Sequence, residues 1–328
     1  MNVLVTGGGG FIGSHLVEDQ LARGHYVKAI DITHHNVEHL KGHERFEMIR
    51  GDITDNALLN RIVPGVDIVF HLASAHLEVN VPEKVYWNVN VGGTKNLLAI
   101  SQKNNVRRFV HCSSVGVYGD IMKPPVDEES TCEPTILYEK TKLASEKEVL
   151  RFYAETKMPI VVVRPVWVYG PRCPRTQKLF RTIENGKFFM VGNGKTLRHA
   201  IYVGDLVDGF EICARKDEAI GRTYILGDKE AITLEQLVNE IAHILKVKVP
   251  TRRLPVWLMI CLGLGMELAG KLMGKEPPFS RRSLKFFTNN TAFDTSRARS
   301  ELGFMPRFTL SHGLREFYEW YQLKNKRK

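Results

Sequence analysis

Short apolar runs alternate with longer amphipathic segments through the first half of the chain. Val3–Thr6, Tyr26–Asp31, Phe46–Arg50, Asp67–Leu72, Arg108–Cys112 and Ile160–Arg164 are brief and rich in Val, Ile and Phe. That length and composition predict strands buried on both faces. Between them, Ile12–Arg23, Asn56–Val63, Glu83–Asn104 and Leu137–Thr156 carry helical spacing. The alternation predicts an α/β fold, a parallel sheet with helices on both faces. Right-handed crossovers make it doubly wound.

The second half is less regular. Pro171, Pro174, Gly186, Gly192 and Gly194 punctuate 172–198. Asp205–Ala214 reads as a helix and Thr223–Leu226 as a strand. Thr233–Leu245 reads as a helix whose N-cap Thr233 and Gln236 form a capping box. An apolar stretch, Val256–Met273, follows, and Leu310–Leu323 closes the pattern as an aromatic-rich amphipathic helix. There is no internal repeat and no low-complexity segment.

Length and composition narrow the class. The 328 residues suit about two domains, and 43% hydrophobic with 25% charged residues is ordinary for a globular protein. This excludes a disordered, collagen-like or multi-span membrane chain. Five cysteines, none in a CxxC pair, form neither a disulfide framework nor a zinc site, and no metal is expected. They suit a reducing compartment, and the start MNVLVTGGGG runs directly into a strand and turn without a signal pattern. The expectation is cytoplasmic.

The net charge is +10. Basic residues gather in the tail Lys324, Lys326, Arg327, Lys328 and at Arg252–Arg253 and Arg281–Arg282. Solvated surface charge explains them; an anionic substrate or a peripheral membrane contact is the functional alternative. No nucleic-acid reader motif accompanies them. Val256–Met266 is too short for a bilayer span of about 20 residues and reads as a buried helix, with an interfacial helix as the alternative.

The first strand runs into Thr6-Gly7-Gly8-Gly9-Gly10-Phe11-Ile12-Gly13. Gly7, Gly10 and Gly13 let a backbone turn tightly against a pyrophosphate at a helix N-terminus. The context predicts dinucleotide binding. Asp31 ends the second strand, where a carboxylate accepts hydrogen bonds from ribose hydroxyls and repels a 2′-phosphate. No Arg or Lys follows closely, which favours NAD over NADP. His34 and His35 read as loop residues.

Tyr138 and Lys142 lie four apart at the start of a helix, on one face. Ser114 ends a strand whose C-terminal end faces the cofactor edge. Hydride transfer at a carbinol carbon requires an acid/base for the hydroxyl proton. A phenol near pKa 10 needs positive charge nearby to serve as that base. Lys142 and an oxidised nicotinamide would supply the charge, while Ser114 orients the reacting oxygen.

With these residues in hand, the chain resembles an extended short-chain dehydrogenase/reductase, the group also called NAD-dependent epimerase/dehydratase. The resemblance spans nearly the whole chain. TGGGGFIG at 6–13 resembles the cofactor turn, implicating Gly7, Gly10, Phe11, Ile12 and Gly13. Gly51-Asp52-Ile53 resembles the adenine-contacting segment, and His71-Leu72-Ala73-Ser74 the strand end along the cofactor. Asn90-Val-Gly-Gly-Thr94 matches the central helix, and Ser113-Ser114-Val-Gly-Val-Tyr-Gly119 holds the catalytic Ser. Arg164-Pro165-Val-Trp-Val-Tyr-Gly-Pro171 and Arg198-His-Ala-Ile-Tyr-Val-Gly-Asp205 match the segments entering and leaving the substrate lobe. The resemblance implies cofactor contacts from Asp31, Asp52, Ile53, Leu72, Ala73, Ser74, Asn90, Tyr138, Lys142 and Pro165. It also implies a Rossmann-type domain over 1–171, to which 199–226 returns. A smaller, mostly helical substrate lobe then comprises 172–198 and 227–328. Relatives are often homodimers.

Substrate identity is less legible. Ser114, Trp167, Arg172 and Arg198 are candidate contacts. Trp167 stands where nucleotide-sugar enzymes often carry Asn. Arg172 and Arg198 suit phosphate by charge and fork geometry, or tie the lobes together. Pro277-Pro278-Phe279-Ser280-Arg281-Arg282, Phe293-Asp294 and 298–304 resemble 3β-hydroxysteroid dehydrogenase-like members. The sequence therefore leans toward a lipophilic alcohol or ketone. A nucleotide-sugar epimerase with recycled NAD is the alternative, a dehydratase fits less well, and a non-catalytic NAD-binding scaffold is remote because Tyr138 and Lys142 are both present.

Overall fold

A computed structural model describes residues 1–76, 81–273 and 281–326, with backbone alone at 267–273 and 281–283. Seven strands form one parallel sheet: β1 (Asn2–Thr6), β2 (Tyr26–Asp31), β3 (Phe46–Arg50), β4 (Ile68–His71), β5 (Arg108–Cys112), β6 (Ile160–Pro165) and β7 (Thr223–Leu226). Their order is 3-2-1-4-5-6-7. Thr6 aligns with Ile30 on one side and His71 on the other. The order reverses between β1 and β4, which opens a crevice at the strand C-termini where ligands bind in such sheets.

Two apolar cores cover the two faces. Val3, Val5, Phe70, Val161 and Val163 pack with Leu16, Leu206 and Phe210 on one side. Leu4, Val69, Phe109 and Val162 pack with Leu59, Leu97 and Val149 on the other. Alternate residues of one strand thus feed opposite layers, which explains the continuous apolar runs. A third core lies beyond the sheet: Phe180, Phe188, Leu237, Ile241, Leu314, Phe317 and Tyr321 bury one another. Its helix Leu234–Leu245 starts at the capping box read from the sequence, with Gln236 N–H donating to Thr233 Oγ1 at 3.1 Å.

Two segments depart from expectation. Glu83–Asn104 is not one uniform helix. It runs as α-helix over Glu83–Trp87, a π-helical segment over Asn88–Gly93, and α-helix again over Thr94–Lys103. Thr94 Oγ1 donates to the Asn90 carbonyl at 2.7 Å, and Gly93 packs against Ile53 so closely that a Cβ would fall 2.7 Å from its side chain. Such π segments often mark functional positions.

The second departure is Val256–Met273. It is helical, yet most of Val256–Met266 faces outward rather than into a core. Its few inward residues join a small cluster of Val191, Met259 and Leu284. Among the described residues no helix is long and apolar enough to cross a membrane. Residues 277–280 and 327–328 of the sequence motifs lie outside the described residues.

Candidate functional site

The crevice is built first by the glycine turn. Gly7 adopts φ +73°, and a Cβ there would sit 2.8 Å from the Ala73 amide nitrogen. At Gly13 a Cβ would meet the Gly7 carbonyl oxygen at 2.1 Å. Only glycine lets the turn, the first helix and the end of β4 pack this tightly. The helix Phe11–Ala22 has no side-chain cap on its first amides. These N–H groups, with the helix dipole behind them, fit a pyrophosphate.

Asp31 lies at the rim of the same turn. Its Oδ2 accepts from Gly9 N–H at 3.0 Å and its Oδ1 from Thr33 N–H at 2.9 Å. This fixes the carboxylate at the end of β2, where a ribose diol fits it. His34 and His35 both face Glu38, at 3.4 and 3.5 Å. Among the described residues no group of side chains could hold a metal.

Leu72 N–H donates to the Thr6 carbonyl at 3.1 Å and Ala73 N–H to Thr6 Oγ1 at 3.2 Å, which brings residues 72–74 alongside the turn. Ile53 is buried against Gly93, and Asp52 lines a neighbouring cavity of about 360 Å³ with Thr54, Val85 and Asn96. Pro165 ends β6 beside Leu226.

Asn90 is the hub of the next layer. Its side chain accepts from Ala75 N–H at 2.7 Å and donates to Thr141 Oγ1 at 2.9 Å. It thereby joins the β4 end to the helix Leu137–Thr156, which carries Tyr138 and Lys142. Lys142 is buried, donates to the Cys112 carbonyl, and is lowered in pKa by burial.

Ser114 ends the β5 connection and accepts from Gly116 N–H at 3.0 Å. The Ser114 hydroxyl is also a hydrogen-bond partner of the half-buried Tyr138. Ser114, Tyr138 and Lys142 therefore converge at the sheet's C-terminal edge.

The electrostatics differ from the sequence expectation in one respect. Burial is the main influence on Tyr138 and raises its pKa above the ordinary phenol value, reinforced by Cys112 and opposed by Arg175 and the Ser114 hydrogen bond. Lys142 is not among the groups that lower it. The protein by itself keeps the phenol protonated, because desolvation outweighs the nearby cations.

Two contacts were invisible in the sequence. The His76 ring stands edge-on to Tyr138, with centroids 4.6 Å apart, and Arg175 lies 3.0 Å from His76 Nε2. His76 sits just past the strand-end motif and Arg175 in the first turn of the helix Pro174–Glu184, positions whose sequence carries no motif to mark them.

The substrate candidates separate. Arg172 donates to Ser14 Oγ at 3.0 Å and to Glu18 Oε1 at 2.6 Å. It ties the start of the lobe to the first helix, and Glu18 neutralises it there. Trp167 is half-buried and stacks on Tyr169 at 5.8 Å. Arg198 differs from both. It is 5% exposed, donates to Thr291 Oγ1 at 3.2 Å and to the carbonyls of Lys285 and Phe286, and has a buried Nε with no partner. Burial lowers its pKa to about 10, and among the described residues no carboxylate pairs with it.

Comparisons with known proteins agree with this geometry. The model of the NAD dependent epimerase/dehydratase family matches residues 3–227. The chain is 32% identical to N-acetyl-alpha-D-glucosaminyl-diphospho-ditrans,octacis-undecaprenol 4-epimerase of Escherichia coli O157:H7, covering 95% of this chain and 93% of that protein. It is 30% identical to a 3 beta-hydroxysteroid dehydrogenase/Delta 5-->4-isomerase of Mycobacterium tuberculosis, covering 98% and 92%. The crystal structure of UDP-glucuronic acid 4-epimerase from Bacillus cereus in complex with NAD superposes with a TM-score of 0.81 at 26% identity, over 99% of both chains.

Proposed function

Because the chain belongs to the NAD-dependent epimerase/dehydratase family, we propose that it is a 4-epimerase acting on a diphosphate-linked sugar. Its cofactor is NAD. The observation that carries the substrate class is Arg198: a buried guanidinium without an acidic partner is costly unless an anion completes it. A diphosphate supplies that anion. A steroid would leave the charge unmatched, so the lean toward a lipophilic alcohol drawn from the sequence gives way. Likeness to 4-epimerases supports the same reading.

The glycine turn, Asp31 and Lys142 would hold NAD, whose chemistry when bound would be reversible hydride transfer at the carbinol carbon. In this reading Tyr138 takes the hydroxyl proton during oxidation and gives it back during reduction. Ser114 donates to the sugar oxygen and keeps it aligned with the phenol. Lys142, held by the Cys112 carbonyl, keeps donor hydrogens for the cofactor ribose. Since the protein by itself favours neutral Tyr138, the positive charge of a bound oxidised cofactor would be needed for the phenol to act as a base.

The test supplies the NAD-loaded protein with UDP-N-acetylglucosamine and, separately, with a polyprenyl-diphosphate N-acetylglucosamine. The expected result is interconversion of C4 epimers with no net NADH absorbance. Arg198→Met should raise KM by roughly 10- to 150-fold, the value of a charged hydrogen bond of about 1.5–3 kcal/mol. Arg198→Lys, which keeps the charge, should recover part of this. Sustained NADH production from a lipophilic alcohol, with neither sugar turned over, would overturn the reading.

A further inference from the structure

We propose that the outward face of the helix beginning at Val256 is a docking surface for an anionic lipid bilayer. This deepens the reading above, on which it rests, by naming a lipid as the carrier of the diphosphate sugar. Val256–Met266 contains no charged residue. In this stretch Trp257 is 65% exposed, Ile260 39%, Leu262 44% and Leu264 46%, and the inward residues are Met259 and Gly263. A helix that is apolar all round must be covered by something. The small cluster beneath it engages Met259 and part of Val256 and leaves Trp257, Ile260, Leu262 and Leu264 exposed.

The charge pattern says what covers it. Residues 246–255, immediately before the helix, hold Lys246, Lys248, Arg252 and Arg253 and no acidic residue. All four basic side chains are exposed, and of them Arg253 has an ion-pair partner, Glu235. Apolar side chains and a tryptophan beside a basic run match the boundary between anionic headgroups and acyl chains. A second copy of this chain would bring the same cations face to face, which disfavours self-association here. Eighteen helical residues span about 27 Å at 1.5 Å per residue, and the described part does not qualify as a membrane-crossing helix. It therefore lies on the bilayer.

The surface is continuous with the site. The helix packs on Arg281–Thr288, whose Lys285 and Phe286 carbonyls accept from Arg198. Lys285 Nζ in turn donates to Asp120 at 2.8 Å and to Thr135 Oγ1 at 3.1 Å, in the loop leading to Tyr138. Docking this helix thus brings the unmatched guanidinium and the reaction centre near one membrane face.

The test uses the full chain loaded with NAD. Cys261 is the exposed thiol among the described cysteines and carries an environment-sensitive dye. Vesicles of phosphatidylcholine with about one-third phosphatidylglycerol should blue-shift the dye and sediment the protein. Pure phosphatidylcholine should do so at least tenfold more weakly, by loss of the basic contribution. The variant Trp257→Glu/Ile260→Glu should lose at least tenfold in vesicle binding. It should keep its melting temperature, its NAD affinity and its activity on a water-soluble nucleoside-diphosphate sugar. Unchanged vesicle binding by the variant overturns the proposal. So does a wild-type dimer in solution that the variant converts to monomer. Failure of the diphosphate-sugar reading is distinguishable: it appears as no epimerisation of either sugar while vesicle binding persists.

Discussion

Tyr138 illustrates how one side chain depends on its surroundings. Its sequence spacing to Lys142 suggested an ammonium that lowers the phenol pKa, yet burial raises it and Lys142 is turned to the Cys112 carbonyl. The role proposed for it is tested by Tyr138→Phe. The expected outcome is a loss of roughly 10²–10⁴ in kcat, the usual worth of general acid–base catalysis. NAD affinity and melting temperature should be nearly unchanged, since the ring and its contact with His76 remain. Near-normal turnover in stopped-flow or steady-state assays would remove Tyr138 from the mechanism.

His76→Ala is the companion at this scale. It removes the edge-on ring and the Arg175 contact together. Activity should fall while cofactor binding holds, measured as kcat/KM against NAD affinity.

At the level of elements, the Tyr138 helix is anchored by a buried ion pair. Arg164 on β6 and Glu146 on the helix are 5% and 1% exposed. Glu146 Oε2 accepts from Ser113 Oγ at 2.6 Å and from Arg164 Nε at 3.1 Å. Arg164 also reaches the Tyr118 hydroxyl and the Glu128 carbonyl. One carboxylate therefore sets the helix, the strand and the residue before Ser114. Glu146→Ala should destabilise the protein by about 3–5 kcal/mol, because it leaves a buried guanidinium unpaired. Urea denaturation measures this. A loss below about 1 kcal/mol would mean that water or another group replaces the carboxylate.

The stability of the molecule as a whole carries a pH signature from histidines under the site. His71 bridges Thr6 Oγ1 at 2.7 Å and Thr94 Oγ1 at 2.8 Å. Burial, assisted by Lys142, lowers its pKa to about 3. His111 lies 5.4 Å away, centroid to centroid, and is lowered by burial, Lys142 and His71. In the unfolded chain a histidine titrates near 6.5, so between that value and about 3 the unfolded state binds the extra proton. The contribution is complete above pH 6.5 and is lost as pH falls. For His71 alone the loss from pH 7 to pH 5 is about 2 kcal/mol, at 1.36 kcal/mol per pH unit. His71→Gln should flatten the pH dependence of the urea midpoint by that amount relative to wild type. An identical slope in the two proteins would show that His71 titrates normally in the fold.

Much of this architecture is written locally. Short apolar runs became β1–β7 within a residue or so of the expected bounds, since a strand buried on both faces needs a continuous apolar segment. The glycine turn and the Thr233–Gln236 cap were legible because each solves a backbone problem within a few residues. Long-range juxtaposition was not. Residues 156 apart in sequence, His15 and Pro171, meet at 2.9 Å, and Arg172 is claimed by Glu18 nearby. Arg198, similar to it in charge and spacing, meets no carboxylate. Nothing in the two local sequences separates these fates. The sequence by itself determined the sheet, the glycine turn and the side-chain types gathered at the candidate site, because those follow from period, backbone geometry and functional-group chemistry. Tertiary structure decided which arginine was left without a carboxylate, that burial governs Tyr138, and that an apolar helix faces outward, because each depends on what the rest of the chain brings alongside.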